Sequence, residues 1–314
     1  MAVIFYAKAM LFGEYSLIAG SDALTIPHKG FSGWLDFEGD DPDAPRQAAI
    51  ASNRQLQLYF RFLVRPEESS PVFSSELDLE RLGKDLENGL FFRSTIPSGY
   101  GLGSSGALVA AIYHRYAKRA SGLSEGSADQ LTMLRKRFAA MESFFHGTSS
   151  GIDPLSCYAG RPLLLEGGGE VRILDQIQLP ADFRGGFFLL DTGMTGKTGP
   201  LVRNFTGKTA QPAFHAFMKE EYIPVNDACI SALLQQNVSE LLSLLPRMSS
   251  YQRTLFLPMI PESMLEVWDE GLNSGAFFLK LCGSGGGGYL LGFTADYSRI
   301  ATLPGAYKPV TLNL

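Results

Sequence analysis

The residues with chemistry to offer are concentrated in a few short stretches. The densest is Pro97-Ser98-Gly99-Tyr100-Gly101-Leu102-Gly103-Ser104-Ser105-Gly106-Ala107. It follows Leu90 to Ile96, patterned as a strand, and runs into Ala107 to Tyr113, patterned as a helix. Glycine lets the backbone bend with positive φ and lets a ligand approach closely. The first N–H groups of a helix lack intrahelical partners, and that end is electropositive. A strand-to-helix turn of this composition is therefore an anion site, most simply a phosphate site. A loop that merely caps the helix is the plainer reading. Glycines at alternate positions 99, 101 and 103, leading into paired serines, favour phosphate.

A second feature is Lys8, inside the apolar stretch Val3 to Leu11. A lysine there is costly unless an anion lies near it, the alternative being a strand-end lysine that snorkels to water. Glu142 and His146 share a helix face by their spacing of four. They precede Gly147-Thr148-Ser149-Ser150-Gly151-Ile152-Asp153-Pro154, read as a polar turn whose carboxylate is either a turn residue or a base. Finally Cys282-Gly283-Ser284-Gly285-Gly286-Gly287-Gly288 joins two strand-like runs and holds more glycine than a tight hairpin needs.

One stretch imitates a known phosphate loop. Phe187 to Asp191 reads as a strand and is soon followed by Gly196-Lys197-Thr198. A Walker A loop requires glycine five positions before that Gly-Lys-Thr, and Asp191 stands there, so the match fails.

Stepping outward, Val3–Leu11, Ala23–Ile26 and Phe31–Phe37 read as strands of one sheet. Gln47 to Leu63 reads as a helix, Leu77 to Leu86 as a short helix, and Ala128 to Phe145 as a helix with apolar residues at spacings of three and four. Arg161–Leu165 and Glu170–Leu174 pair around a Gly-rich turn. Pro212 to Met248 is helical with interruptions expected at Pro224 and Pro246, Met264 to Leu272 is a further helix, and Tyr307 to Leu314 is a closing strand. The residues around Gln178 look like the link between two halves, 1–178 and 179–314.

Composition sets the outer limits. With 314 residues, 45% hydrophobic and 19% charged, the chain is globular, with room for one large or two ordinary domains. A net charge of −5 offers no basic footprint for nucleic acid, so anions must be held by loops and single cations. Three scattered cysteines form no disulfide scaffold and no metal-ligand cluster. Absence of a basic-flanked leader and of a long apolar run points to a cytoplasmic protein without a membrane partner.

Pro97 to Ala107 resembles the second motif of the GHMP kinases, the superfamily of galactokinase, homoserine kinase, mevalonate kinase and phosphomevalonate kinase. Lys8 to Gly20 resembles their first motif, Pro-Gly-Lys-x-x-x-x-Gly-Glu-His, with Tyr6-Ala7 in place of Pro-Gly and Tyr15 in place of His. His146 to Asp153 resembles the aspartate loop of mevalonate kinases, and Lys280 to Gly288 the third motif. The resemblance runs from Lys8 to Phe293 in family order. It implies an α+β fold: a ribosomal-protein-S5-like N-terminal domain, a ferredoxin-like C-terminal domain, and an active site between them.

It also implies an ATP-dependent kinase acting on an alcohol, with magnesium. Asp153 would take the hydroxyl proton, with Lys8 beside it to stabilise charge developing on the oxygens. Gly99, Tyr100, Gly101, Leu102, Gly103, Ser104 and Ser105 would bind ATP, and Ser105 and Glu142 the Mg²⁺. Glu14, Tyr15, Lys197, Thr198, Gly283, Ser284 and Gly285 would contact the acceptor. The acceptor expected first is mevalonate, on Gly288 and the His-Gly loop; phosphomevalonate is second, on Tyr15, and homoserine third. A non-catalytic sensor of the same fold would have lost the base, the lysine or the metal ligands, and all are present. A homodimer is left open.

Overall fold

The computed structural model describes residues 2–39, 46–65, 72–119, 128–167, 169–196, 198–301, 303 and 307–314. The chain divides into two compact units. Unit 1 comprises Met1–Lys8, Lys29–Pro97 and Gly103–Gly160; unit 2 comprises Ala9–His28, Ser98–Leu102 and Arg161–Leu314.

Strands β1 (Phe5–Phe12) and β2 (Ala23–Phe37) each begin in one unit and end in the other. In unit 1, Gly33 to Phe37 of β2 pairs antiparallel with β3 (Leu90–Ser94). Two separate strands were expected over 23–37, but one long strand forms. Pro27, which cannot donate to a ladder, falls between the part paired with β3 and the part paired with Leu163–Leu165.

Helix α1 (Arg46–Leu63) packs on β3, and Ser52 and Asn53 tie it there by accepting from Phe92 N and donating to Leu90 O. Beyond α2 (Val72–Glu76), α3 (Leu79–Glu87) starts at Asp78, whose carboxylate accepts from Arg81 N. Helix α4 (Ser104–Tyr116) is buried at every position from Gly106 to Tyr113, so it is the core of the unit rather than a surface helix. It lies against α5 (Ala128–His146) and α6 (Ile152–Ala159).

Helix α6 corrects one expectation. Asp153 was placed in a polar turn; it stands in the first helical turn. Gly151 takes φ 74° just before the helix, and Pro154 is tolerated in the first turn because its missing N–H would have had no partner there.

In unit 2, Ala23 to Thr25 pairs with β4 (Leu163–Leu165), which pairs with β5 (Val171–Ile173). A four-stranded antiparallel sheet follows in the order β7-β8-β6-β9, from β6 (Gly186–Asp191), β7 (Phe277–Leu281), β8 (Tyr289–Thr294) and β9 (Val310–Thr311). The closing strand is thus shorter than expected. Register matters here: Leu281 faces Leu290 and Asp191 faces Tyr289. The loops after β6 and after β7 therefore leave the sheet at the same end.

The helices of this unit are α7 (Thr198–Thr209), α8 (Pro212–Phe217), α9 (Ile223–Leu234), α10 (Val238–Leu255) and α11 (Leu265–Ser274). Neither proline interrupts as expected. A π-helical turn at Met218–Tyr222 joins α8 to α9, and Pro224 sits in the first turn after it. Widening the helix there accommodates the ring and the missing N–H of Pro224. Pro246 lies inside α10. Among the described residues no helix is long and apolar enough to cross a membrane.

Candidate active site

Unit 1 assembles a compact charged cluster. Lys8, 2% exposed, places Nζ 3.0 Å from Oδ1 of Asp153, whose side chain remains 31% exposed. The anion that an apolar strand lysine requires is thus supplied from a helix 145 positions further along the chain. Gly106 makes this possible. A Cβ there would lie 2.7 Å from the backbone carbon of Asp153, so only glycine lets α4 approach α6 closely enough.

Ser105, in the first turn of α4, donates from Oγ to Oε1 of Glu142 at 2.9 Å. Ser149 donates to the other oxygen, Oε2, at 2.5 Å. Nε2 of His146 lies 3.1 Å from Ser105 Oγ. When Glu142 is ionised and takes the Ser105 proton, the imidazole is the donor in that contact; the roles follow the imidazole tautomer. The first intrahelical bond of α4 is Ala107 N to Gly103 O, so the N–H groups of Ser104 to Gly106 lie ahead of the ladder, at the electropositive end.

Burial pushes the Glu142 carboxyl up to about 7, and Asp153 adds to this, against the lowering effects of Ser149, Ser105 and Lys8. A buried carboxyl held near a second carboxylate is a place where a cation is wanted. Hydroxyl and carboxylate oxygens are the donors a hard divalent ion prefers, so the set fits Mg²⁺. Burial lowers the pKa of His146, with Asp153 opposing, and raises that of Cys157, which packs on Gly103 O.

Unit 2 brings three glycine-containing loops together, residues 98–102, 192–196 and 282–288. Gly196 N donates to Gly99 O at 2.9 Å, Gly288 N to Met194 O at 2.6 Å, and Thr192 N and Oγ1 to Gly288 O at 2.9 and 2.7 Å. A Cβ on Gly101 would lie 2.3 Å from Cys282 O, and one on Gly288 2.4 Å from Tyr100 Cα. Glycine at both positions is therefore dictated by backbone packed on backbone. Burial and the nearby Asp191 carboxylate raise the pKa of the Tyr100 phenol, its ring meets Tyr289 at 5.2 Å, and Leu102 is buried.

Glu14 and Tyr15 are engaged in the same unit. Lys280 Nζ lies 2.6 Å from Glu14 Oε1, with both side chains under 5% exposed. The phenol of Tyr15 donates to Ser284 O at 2.6 Å. Lys197 lies outside the described residues, and Thr198 opens α7. The structure thus brings Lys8, Ser105, Glu142 and Asp153 together, and separately Gly99–Leu102, Glu14, Tyr15 and Gly283–Gly285.

Sequence reasoning missed Ser149, the contact of His146 with Ser105, and the pairing of Lys280 with Glu14. That Lys280 needs an anion was findable, because Phe277-Phe278-Leu279-Lys280-Leu281 is another apolar strand broken by a lysine.

Residues 76–161 match the model of the GHMP kinases N terminal domain. Over 313 residues the chain is 29% identical to mevalonate kinase of Pyrococcus horikoshii, covering 93% of this chain and 88% of that one. Its fold is similar to that of L. major mevalonate kinase in complex with R-mevalonate, with 19% identity, a TM-score of 0.62, and coverage of 100% and 96%. It is equally similar to that of Streptococcus pneumoniae phosphomevalonate kinase in complex with phosphomevalonate and AMPPNP, with 16% identity, a TM-score of 0.61, and coverage of 100% and 99%. The chain is thus similar to the GHMP kinases, over residues 76–161 by the family model and over most of its length to mevalonate kinases.

Proposed function

We propose that this protein transfers the γ-phosphoryl group of ATP to the hydroxyl of mevalonate. The observation that carries the reading is the Lys8–Asp153 pair at 3.0 Å, beside the N-terminus of α4. Asp153 is exposed enough to receive a proton from an alcohol, and Lys8 holds the carboxylate in one orientation. As the new O–P bond forms, the hydroxyl proton passes to Asp153 and ADP is the leaving group. Such transfers depend chiefly on positioning and charge neutralisation. Gly99 to Ser105 would bind the phosphates, with the N–H groups of Ser104 to Gly106 at the positive end of α4. Ser105 and Glu142 would hold Mg²⁺, which supplies neutralising charge to the phosphate oxygens when bound.

The same reading takes 1–178 and 179–314 as the S5-like and ferredoxin-like domains of the family, in a cytoplasmic enzyme. Glu14 and Tyr15 act on this reading within unit 2, on Lys280 and Ser284, while Gly283 to Gly285, Lys197 and Thr198 remain proposed acceptor contacts. Because its phenol is bonded to Ser284, Tyr15 gives no argument for phosphomevalonate over mevalonate.

Two measurements test this reading. In an ADP-release assay, kcat/KM for mevalonate exceeds that for phosphomevalonate and for homoserine. A ratio favouring phosphomevalonate by about tenfold, roughly 1.4 kcal/mol of transition-state binding, would overturn the choice of acceptor. Glu142→Gln keeps the size and one acceptor oxygen for a serine hydroxyl, replaces the other oxygen by an NH2 donor and removes the charge. It raises the Mg²⁺ concentration for half-maximal rate by at least about tenfold while KM for mevalonate changes less; an unchanged Mg²⁺ curve would make Glu142 structural.

A further inference from the structure

Tyr15 occupies a backbone conformation that a side chain rarely tolerates, φ 60° and ψ −43°. Ser16 N donates to Glu14 O across it at 2.7 Å. A three-residue turn closed in this way with positive φ is the rare, strained form of the γ-turn. Such strain persists only where the surroundings over-determine it. Here Glu14, on one side, is fixed by Lys280 at 2.6 Å, and Ser16, on the other, accepts from Ser21 Oγ at 2.7 Å. The ring is packed on Phe205 and Phe256, at 4.9 and 5.4 Å between centroids.

What the strain achieves is the aim of the phenol. Tyr15 O–H meets the carbonyl of Ser284, 269 positions away, at 2.6 Å. Ser284 lies between Gly283 at φ 82° and Gly285 at φ 72°, and its own φ is not positive. Alternating signs of φ make successive N–H groups converge on one point, the geometry that binds anions. The peptide joining Ser284 to Gly285 is planar and trans, so its C=O and N–H point in opposite directions. Fixing the carbonyl on Tyr15 therefore turns the Gly285 N–H to the opposite side. The base of the loop is held as well: Lys280 Nζ donates to Leu281 O at 3.0 Å, and Leu281 N donates to Oε1 of Gln252 at 2.7 Å. Gln252 is in turn bonded to Tyr222, the last residue of the π-helical turn.

We propose that Tyr15 is a positioning residue whose phenol orients the Ser284–Gly285 peptide, so that the Gly285 N–H faces an anionic oxygen of the acceptor. This rests on the reading of Gly283 to Gly285 as acceptor contacts. It gives Tyr15 a task on the protein's own backbone in place of direct contact with the substrate.

Tyr15→Phe removes the hydroxyl and keeps the ring. In the ligand-free protein, hydrogen exchange over 281–289, which includes the bonded amides of Leu281, Gly286 and Gly288, accelerates by about tenfold, while exchange in α4 to α6 is unchanged. KM for mevalonate rises about tenfold with a smaller change in kcat, and Tm stays close to that of the wild type. Unchanged exchange over 281–289 would overturn the proposal, as would faster exchange with an unaltered KM. A uniform rise in exchange with a lowered Tm would reduce Tyr15 to a packing residue. Exchange is read whether or not mevalonate is turned over. An error in the acceptor therefore shows in the wild-type assay, and an error about Tyr15 shows in the exchange.

Discussion

Asp153→Asn lowers kcat by at least about a hundredfold, the scale of a lost general base, with little change in the affinity for ATP. The side chain keeps its size and its place in the first turn of α6, so the change is confined to charge and proton affinity. Lys8 is then a buried ammonium without its recorded carboxylate partner, and the variant also loses some stability. Turnover within a few-fold of the wild type would remove Asp153 from the base role. Lys8→Met separates the two functions of the pair: it relieves the burial problem but withdraws the positive charge, so kcat falls while the fold holds.

The largest effect on stability is expected at the other buried pair. Lys280→Met leaves the Glu14 carboxylate inside unit 2, with a side chain 1% exposed. Breaking a buried pair on one side costs about 3–5 kcal/mol, because the remaining buried charge loses its ion-pair partner. A fall in Tm on the order of 10 °C follows. The double variant Glu14→Leu, Lys280→Met recovers most of that loss, since well-packed apolar replacements of a buried pair are often neutral. Thermal unfolding of the single and double variants checks both statements. A single variant within about 1 kcal/mol of the wild type would mean that water reaches the pair.

These two pairs also mark how far the sequence could be read. The cost of a lysine in an apolar strand pointed to an anion near Lys8, and Asp153 is there. The same argument applied to Lys280 but was hidden by the glycine run that follows it. Its partner, 266 positions away, leaves no local period to read. Helices α1 and α5, and strands β1, β6, β7 and β8, were legible because spacing reports directly which face is buried. Asp153 was misplaced because Gly and Pro are ordinarily turn signals. Here they form the two residues flanking the start of a helix, Gly151 before it and Pro154 within its first turn. Pro224 and Pro246 misled in the same way. A proline's cost can be absorbed by a wider turn or by tolerance within a long helix, and tertiary packing decides which.

The interlocked loops of unit 2 have a consequence for tracing descent. Gly101 and Gly288 are required by neighbouring backbone, whatever the protein binds. A duplicated copy drifting away from catalysis would be under the same pressure to keep them, since replacing either would break its fold. The glycine signature would then outlast the reaction and be inherited by descendants that phosphorylate nothing. Lys8, Ser105, Glu142 and Asp153 carry no such packing obligation on a bare backbone, and their loss is the earlier record of an abandoned activity.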